Sequence, residues 1–272
     1  MMGPHHAASG AAAWLALTTS FKLELGGLSG VLPFLPDTLV LGAGLLDVSP
    51  AGVLAGTIVT AGAALLPDAD HRHASIAHSL PPLSNMMCIQ VGKISGGHRH
   101  GTHSILGVAV FVMIAMLAGM WTVAWEPFGT IYPGAGLITV LLASFAAKAL
   151  KFIPDTMQKF PWVVGLGMGV FITFFAPQEQ FWFPLAIGLG AAVHILGDML
   201  TTGGCNLLWP LRVKPMKMLR KIPGVRSIWK ANGNIAVPIL GNAGSVREWL
   251  LLVPVSGYVI LTAGATTMAW LS

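Results

Sequence analysis

The chain has 272 residues, of which 54% are hydrophobic and 9% charged, with a formal net charge of +5. Soluble domains carry about 25% charged residues, so a soluble globular enzyme is excluded. The apolar content also excludes a disordered chain, the lack of a glycine period excludes collagen, and two cysteines exclude a disulfide scaffold. What remains is an integral membrane protein.

In chain order, residues 7–21 read as a short first span. Two histidines and no Lys or Arg precede it, a pattern unlike a cleavable signal peptide. Lys22 and Glu24 then interrupt the apolar run, and 31–46, broken by Pro33, Pro36 and Asp37, reads as an interfacial or re-entrant element, with a kinked span as the alternative. Further spans are expected over 51–67, 104–125, 135–150, 161–176, 182–200 and 249–271. These runs are continuously apolar rather than alternating, so helices are expected and not a transmembrane barrel. The expected fold is all-α: a polytopic transmembrane helical bundle of about seven spans, one domain over 1–272, with substantial loops at 68–103 and 201–248.

Lys and Arg collect in cytoplasmic loops. Loop 68–103 holds Arg72, Lys93 and Arg99; the connection 148–159 holds Lys148, Lys151 and Lys159; loop 201–248 holds Arg212, Lys214, Lys217, Arg220, Lys221, Arg226, Lys230 and Arg247. Together these are 14 of the 15 basic residues, and the intervening connections carry only Glu126 and Glu179. The three basic loops are therefore expected on the cytoplasmic face. The basic stretch 212–247 suits anionic lipid headgroups, and nucleic acid is not expected. Cys88 and Cys205 lack CxxC spacing and read as free thiols.

The chemistry lies in the His and Asp residues, which gather at the expected cytoplasmic ends of spans. LLPDADHRH places Asp68, Asp70, His71 and His73 directly after an apolar helix. Oxygen and imidazole donors so close together suit a divalent cation, although a polar helix end reaching water would use the same residues. GGHRHGTHS brings His98, His100 and His103 around Arg99, Thr102 and Ser104. The glycines let groups approach a common centre, and the Arg99 fork suits phosphate oxygens; a solvated His-rich loop is the plainer reading. HILGD sets His194 and Asp198 four residues apart, on one face of an apolar span. Ionisable groups there are costly and point to function, against the alternative of a simple His–Asp hydrogen bond. His5 and His6 open the chain, and the sequence does not choose between them.

With His6 followed by a small-residue helix, LLPDADH (Leu65 to His71), GHRHGTHS (Gly97 to Ser104) and HILGDMLTTGGCNLLWP (His194 to Pro210), the chain resembles the YdjM-like bacterial inner-membrane proteins described as metal-dependent hydrolases. That resemblance implies a helical hydrolase of the bacterial inner (plasma) membrane, distantly related to the zinc-dependent phospholipase C and P1 nuclease group. It also implies His6, Asp68, Asp70, His71, His98, His103, His194 and Asp198 as ligands of two or three zinc ions, with Mn or Mg as alternatives. His100 stands where many relatives have Gly and is expected to be a loop residue.

The expected reaction is hydrolysis of a phosphoester by a metal-activated water. Asp70 would bridge metals or orient that water, with Arg99 and Thr102 holding the non-bridging oxygens. Ser104 would act beside the site or cap the helix that follows. No GxSxG elbow supports a serine hydrolase. The location beside a basic loop points to a membrane lipid or lipid-linked phosphoester substrate and to a site facing the cytoplasm. Rival readings are a metal-ion or small-solute transporter using the same residues and a closed structural metal site.

Overall fold

A computed structural model describes residues 1–32, 34, 36–151, 160–177 and 181–272. The expectations for Pro33, Lys159 and Glu179 lie outside these residues. Helix α1 (Gly3–Thr18) has a proline in its first turn and is buried against its neighbours along much of its length. Strands β1 (Phe21–Glu24) and β2 (Thr38–Leu41) form an antiparallel hairpin, Phe21 opposite Leu41, with the short α2 (Gly26–Ser29) between them. The polar interruptions at Lys22 and Glu24 thus fall in a strand. No kinked spanning helix is present among the described residues of 31–46.

Helix α3 (Pro50–Ala63) starts on Ser49, whose hydroxyl accepts from the Gly52 amide at 3.1 Å, and tightens into a 3₁₀ turn over Leu66–Asp70. Helix α4 (Leu83–Ile94) lies within the first long loop, after a second 3₁₀ turn at Ser75–His78, and a third, Gly101–His103, leads into α5 (Ile105–Gly119). The apolar run expected to stay helical to residue 125 instead ends at Gly119 and turns into a hairpin, β3 (Val123–Trp125) and β4 (Gly129–Ile131). Helices α6 (Pro133–Ala149), α7 (Phe160–Phe175) and α8 (Trp182–Met199) follow. The second long loop contains a 3₁₀ turn, the six-residue α9 (Pro223–Ile228) and isolated β-bridges such as Cys205 with Ile235 before α10 (Val246–Leu271).

Among the described residues, three stretches are long and apolar enough to cross a membrane: Pro50–Asp70, Trp182–Met199 and Val246–Leu271. Three further apolar helices, α5, α6 and α7, have 15, 17 and 16 residues. Helices α1, α3 and α8 pack on one another around Trp14, Leu65 and Ile187. The α3–α8 contact depends on Gly190: an added Cβ would lie 2.6 Å from the Thr60 carbonyl oxygen and 2.8 Å from the Ala64 nitrogen. Close approach through small residues is how membrane helices gain packing energy, and it brings the next turn of α8 against the end of α3. The opposite end of the bundle is aromatic, with Trp125 and Phe128 packed on Phe174.

Candidate metal centre

Four pieces of chain meet at one end of the bundle. The 3₁₀ extension of α3 supplies Asp68 and Asp70, and the loop into α5 supplies His98, Arg99, Thr102 and His103. The last turns of α8 supply His194 and Asp198, and the first turn of α1 supplies His6. His6, His103, His194 and Asp198 are fully buried, Asp70 is buried, and Asp68 is partly open.

At the centre, His194 Nε2 lies 3.1 Å from His103 Nε2. The other nitrogen of each ring fixes what these two atoms are. His194 Nδ1 is 2.7 Å from the Ala64 carbonyl oxygen, which can only accept, so Nδ1 carries the proton. His103 Nδ1 is 3.2 Å from Asp70 Oδ2 and by the same reasoning donates to the carboxylate. In the neutral rings, both Nε2 atoms therefore present lone pairs to each other. Asp68 Oδ1 lies 3.8 and 3.7 Å from the two Nε2 atoms, and Asp198 Oδ2 lies 3.7 and 3.9 Å from them. His6 stacks on His194 with ring centroids 3.6 Å apart, and its Nε2 is 3.3 Å from Asp198 Oδ1; neither His6 ring nitrogen has a hydrogen bond. Donors around one tetrahedral zinc stand about 3.3 Å apart, so this donor set needs little rearrangement to hold a divalent ion.

Asp70 plays a different part. Its Oδ2 accepts from the Thr102 hydroxyl at 2.7 Å, the Arg99 amide at 3.0 Å and His103 Nδ1, while Oδ1 faces His98 Nδ1 at 2.8 Å. The carboxylate thus pins the whole His-rich loop. Burial lowers the affinity of His98 for its proton, but the Asp70 hydrogen bond and charge outweigh it, and its pKa is raised. For His71, burial and the neighbouring His98 act together and lower it.

Arg99 reaches from the loop to Asp198 Oδ2 at 3.1 Å with its side chain one-fifth exposed, in a residue whose φ of 64° is left-handed. Gly203 makes room for it: a Cβ there would sit 1.8 Å from Arg99 Nη1. The Met1 amine also pairs with Asp198. Ser104 Oγ accepts from the Gly107 amide at 3.1 Å and caps α5.

Among the described residues, three donor groups close enough to hold a metal ion result: His6, His194 and Asp198; Asp68, His103 and His194; Asp70, His98 and His103. Seven of the eight expected ligands are in them. His71 is not: the chain leaves the 3₁₀ turn in extended conformation at that residue, and its ring packs on His98 and His73. His100 is also outside the three groups. Of the opening pair, His6 joins the cluster while His5 turns away to Glu248. Sequence reasoning passed over Glu248, a lone carboxylate in the first turn of an apolar helix, and the Ala64 carbonyl, for which the sequence holds no signal.

The fold and this cluster define a helical membrane protein with a buried His/Asp centre. The chain belongs to the YdjM inner membrane protein family, whose model matches residues 1–269. No curated protein and no solved structure matches it.

Proposed function

We propose that this protein is a membrane-embedded metal-dependent hydrolase of lipid phosphoesters. The observation that carries the reading is the pair of facing Nε2 atoms, 3.1 Å apart, each ring oriented by a carbonyl or carboxylate on its far side. Two lone pairs so placed repel unless positive charge lies between them, and metal-ligating histidines are oriented from behind in this way. His194, His103, Asp68 and Asp198 would hold the ion, with His6 completing the set. Because His194 has only Nε2 free, the two donor groups that share it describe one ion position. A second ion would require the Asp70–His98 side to release its hydrogen bonds. Nitrogen and carboxylate donors together suit zinc, with Mn and Mg as alternatives.

A bound divalent ion lowers the pKa of its water toward about 7. Asp70 holds His103 and Thr102 in place, and Arg99, at the edge of the cluster, is placed to bind the phosphoryl oxygens of a substrate that draws it from Asp198. An apolar cleft of about 260 Å³ between α4 and α5 is lined in part by Val91, Ile94, Val110 and Ile114, and also by Gly101 and Thr102 of the His-rich loop. It would take a hydrocarbon chain of the lipid.

In this reading α1, α3, α5, α6, α7, α8 and α10 cross the membrane, with the His/Asp end in the cytoplasm. The helices of 15 to 17 residues are about 23–26 Å long, so they fit a locally thinned bilayer. The exposed Leu211, Met216 and Met218, interleaved with Arg212, Lys214 and Lys217, suit an anionic membrane surface.

The test is phosphate release by the zinc-loaded full chain in liposomes, from phosphatidic acid and from water-soluble glycerol 3-phosphate. Release from the lipid that is lost in His194→Ala supports the reading. Release from the soluble ester alone overturns the lipid assignment. Bound zinc with no turnover of either points to a carrier or a structural site.

A further inference from the structure

Helix α10 lies outside the His/Asp motifs, yet its first turn holds a wholly buried carboxylate, Glu248. In a capping box the acid returns to the amide of its own N-cap residue. Here the N-cap Ser245 amide is already bonded to the Asn242 carbonyl oxygen at 3.0 Å, and the Glu248 side chain is turned elsewhere. Its Oε2 accepts from the Gly244 amide at 2.8 Å; its Oε1 accepts from the Met2 amide at 2.8 Å and contacts His5 Nδ1. Trp249 closes the other side, edge-on to the His5 ring with centroids 4.6 Å apart. A single buried acid thus clamps the start of α1 at two points.

His5 and His6 are consecutive on a helix, so their side chains leave the axis about 100° apart. One ring is held by α10 and the other stacks on His194 of α8. Fixing His5 therefore fixes the rotation of α1 about its own axis, and with it the reach of His6 toward Asp198. We infer that Glu248 and His5 are positioning residues of the metal centre, acting through His6. This inference rests on the metal reading above. It adds the last helix, which carries none of the candidate ligands, to the parts that set ion affinity.

The experiment is zinc affinity measured by chelator competition on the detergent-solubilised full chain. The variants are His6→Ala, His5→Ala, Glu248→Ala, Glu248→Gln and the double variant Glu248→Ala/His6→Ala. Groups bonded directly to metal ligands are worth about 10–100-fold in affinity; His5 and Glu248 act one step further back, so His5→Ala and Glu248→Ala should each weaken zinc by about 10-fold, and by no more than His6→Ala does. Glu248→Gln, which keeps one oxygen acceptor, should fall between Glu248→Ala and wild type. Because the dyad acts through His6, the double variant should bind no more weakly than His6→Ala alone, whereas a purely structural clamp would multiply the two losses. His5→Ala leaves the Glu248 bonds to Met2 and Gly244 in place, so it tests the idea even if Glu248→Ala does not fold. Wild-type affinity in both single variants, or multiplied losses in the double variant, overturns the inference while the metal reading stands. A wild-type chain that binds no zinc overturns both.

Discussion

Replacing Asp70 by Asn separates a residue that orients ligands from one that ligates. The amide is nearly isosteric but neutral, and it offers one oxygen where the carboxylate offers two. Three donors converge on Oδ2, from Thr102, Arg99 and His103 at 2.7, 3.0 and 3.2 Å, against one, from His98, on Oδ1. The amide oxygen should therefore take the Oδ2 side, leaving its NH₂ toward the His98 ring, which is 38% exposed and free to change tautomer. What is lost is charge: hydrogen bonds to an ionised partner contribute about 1.5–3 kcal/mol against about 0.5–1.5 kcal/mol for neutral ones. His103 Nδ1 then donates to a weaker acceptor, and its Nε2 becomes a poorer donor to the ion. The expected result is a zinc affinity about 10–100-fold lower, or about 1.4–2.8 kcal/mol, at unchanged stoichiometry. Asp198→Asn, which removes a donor at the centre itself, should lose the ion. Chelator competition with zinc counted per chain reads both. Loss of stoichiometry in Asp70→Asn would make Asp70 a ligand, and unchanged affinity would refute its orienting role.

Other predictions follow from the same geometry. Gly203→Ala places a methyl group 1.8 Å from the present Arg99 Nη1 position; because the end of a flexible side chain can move, stability should change by less than about 1 kcal/mol. Phosphoester turnover by the loaded protein should fall by about 10²-fold as a hydrogen-bond donor to the phosphoryl oxygens is displaced, and full activity in this variant would remove Arg99 from the mechanism. Gly190→Ala meets backbone of α3 at 2.6 and 2.8 Å, so denaturation in mixed detergent should show a loss of about 1–3 kcal/mol; no loss would mean that α8 does not depend on this close contact. Burial, with the charges of Asp70 and Asp68, pushes the Cys88 thiol up to about 11, and burial likewise raises Cys205. Both should resist maleimide at pH 7.5 until the protein is unfolded, because the thiolate is the reacting form. Rapid labelling of the folded chain would contradict this packing.

Much of the centre was legible in the sequence because ionisable groups are rare and costly in so apolar a chain. The four-residue spacing of His194 and Asp198 put both on one face of α8, and LLPDADH and GHRHGTHS stood at the mouths of apolar runs. The tautomer logic was not legible, since it depends on the backbone carbonyl of Ala64 being within reach of α8. His71 stands beside the cluster without joining a donor group: its place in LLPDADH suggests a shared centre, but the backbone is extended there and the ring packs on His98 and His73. The end of α5 was overrun for a related reason: residues 120–125 are apolar enough for a helix, and composition alone does not separate the end of a span from a short aromatic strand. Glu248 sits three residues after Ser245, the spacing of an ordinary capping box, so its partners in α1 could emerge only from the packing of α10.

The most direct test of the central claim is zinc content per chain by elemental mass spectrometry, on wild type, His194→Ala and Asp198→Ala purified without chelators and then zinc-loaded and desalted. At least one retained ion in the wild type, absent from both variants, is the predicted result. A wild-type chain that retains no zinc, manganese or magnesium under these conditions, or variants that retain as much as wild type, would contradict the metal centre.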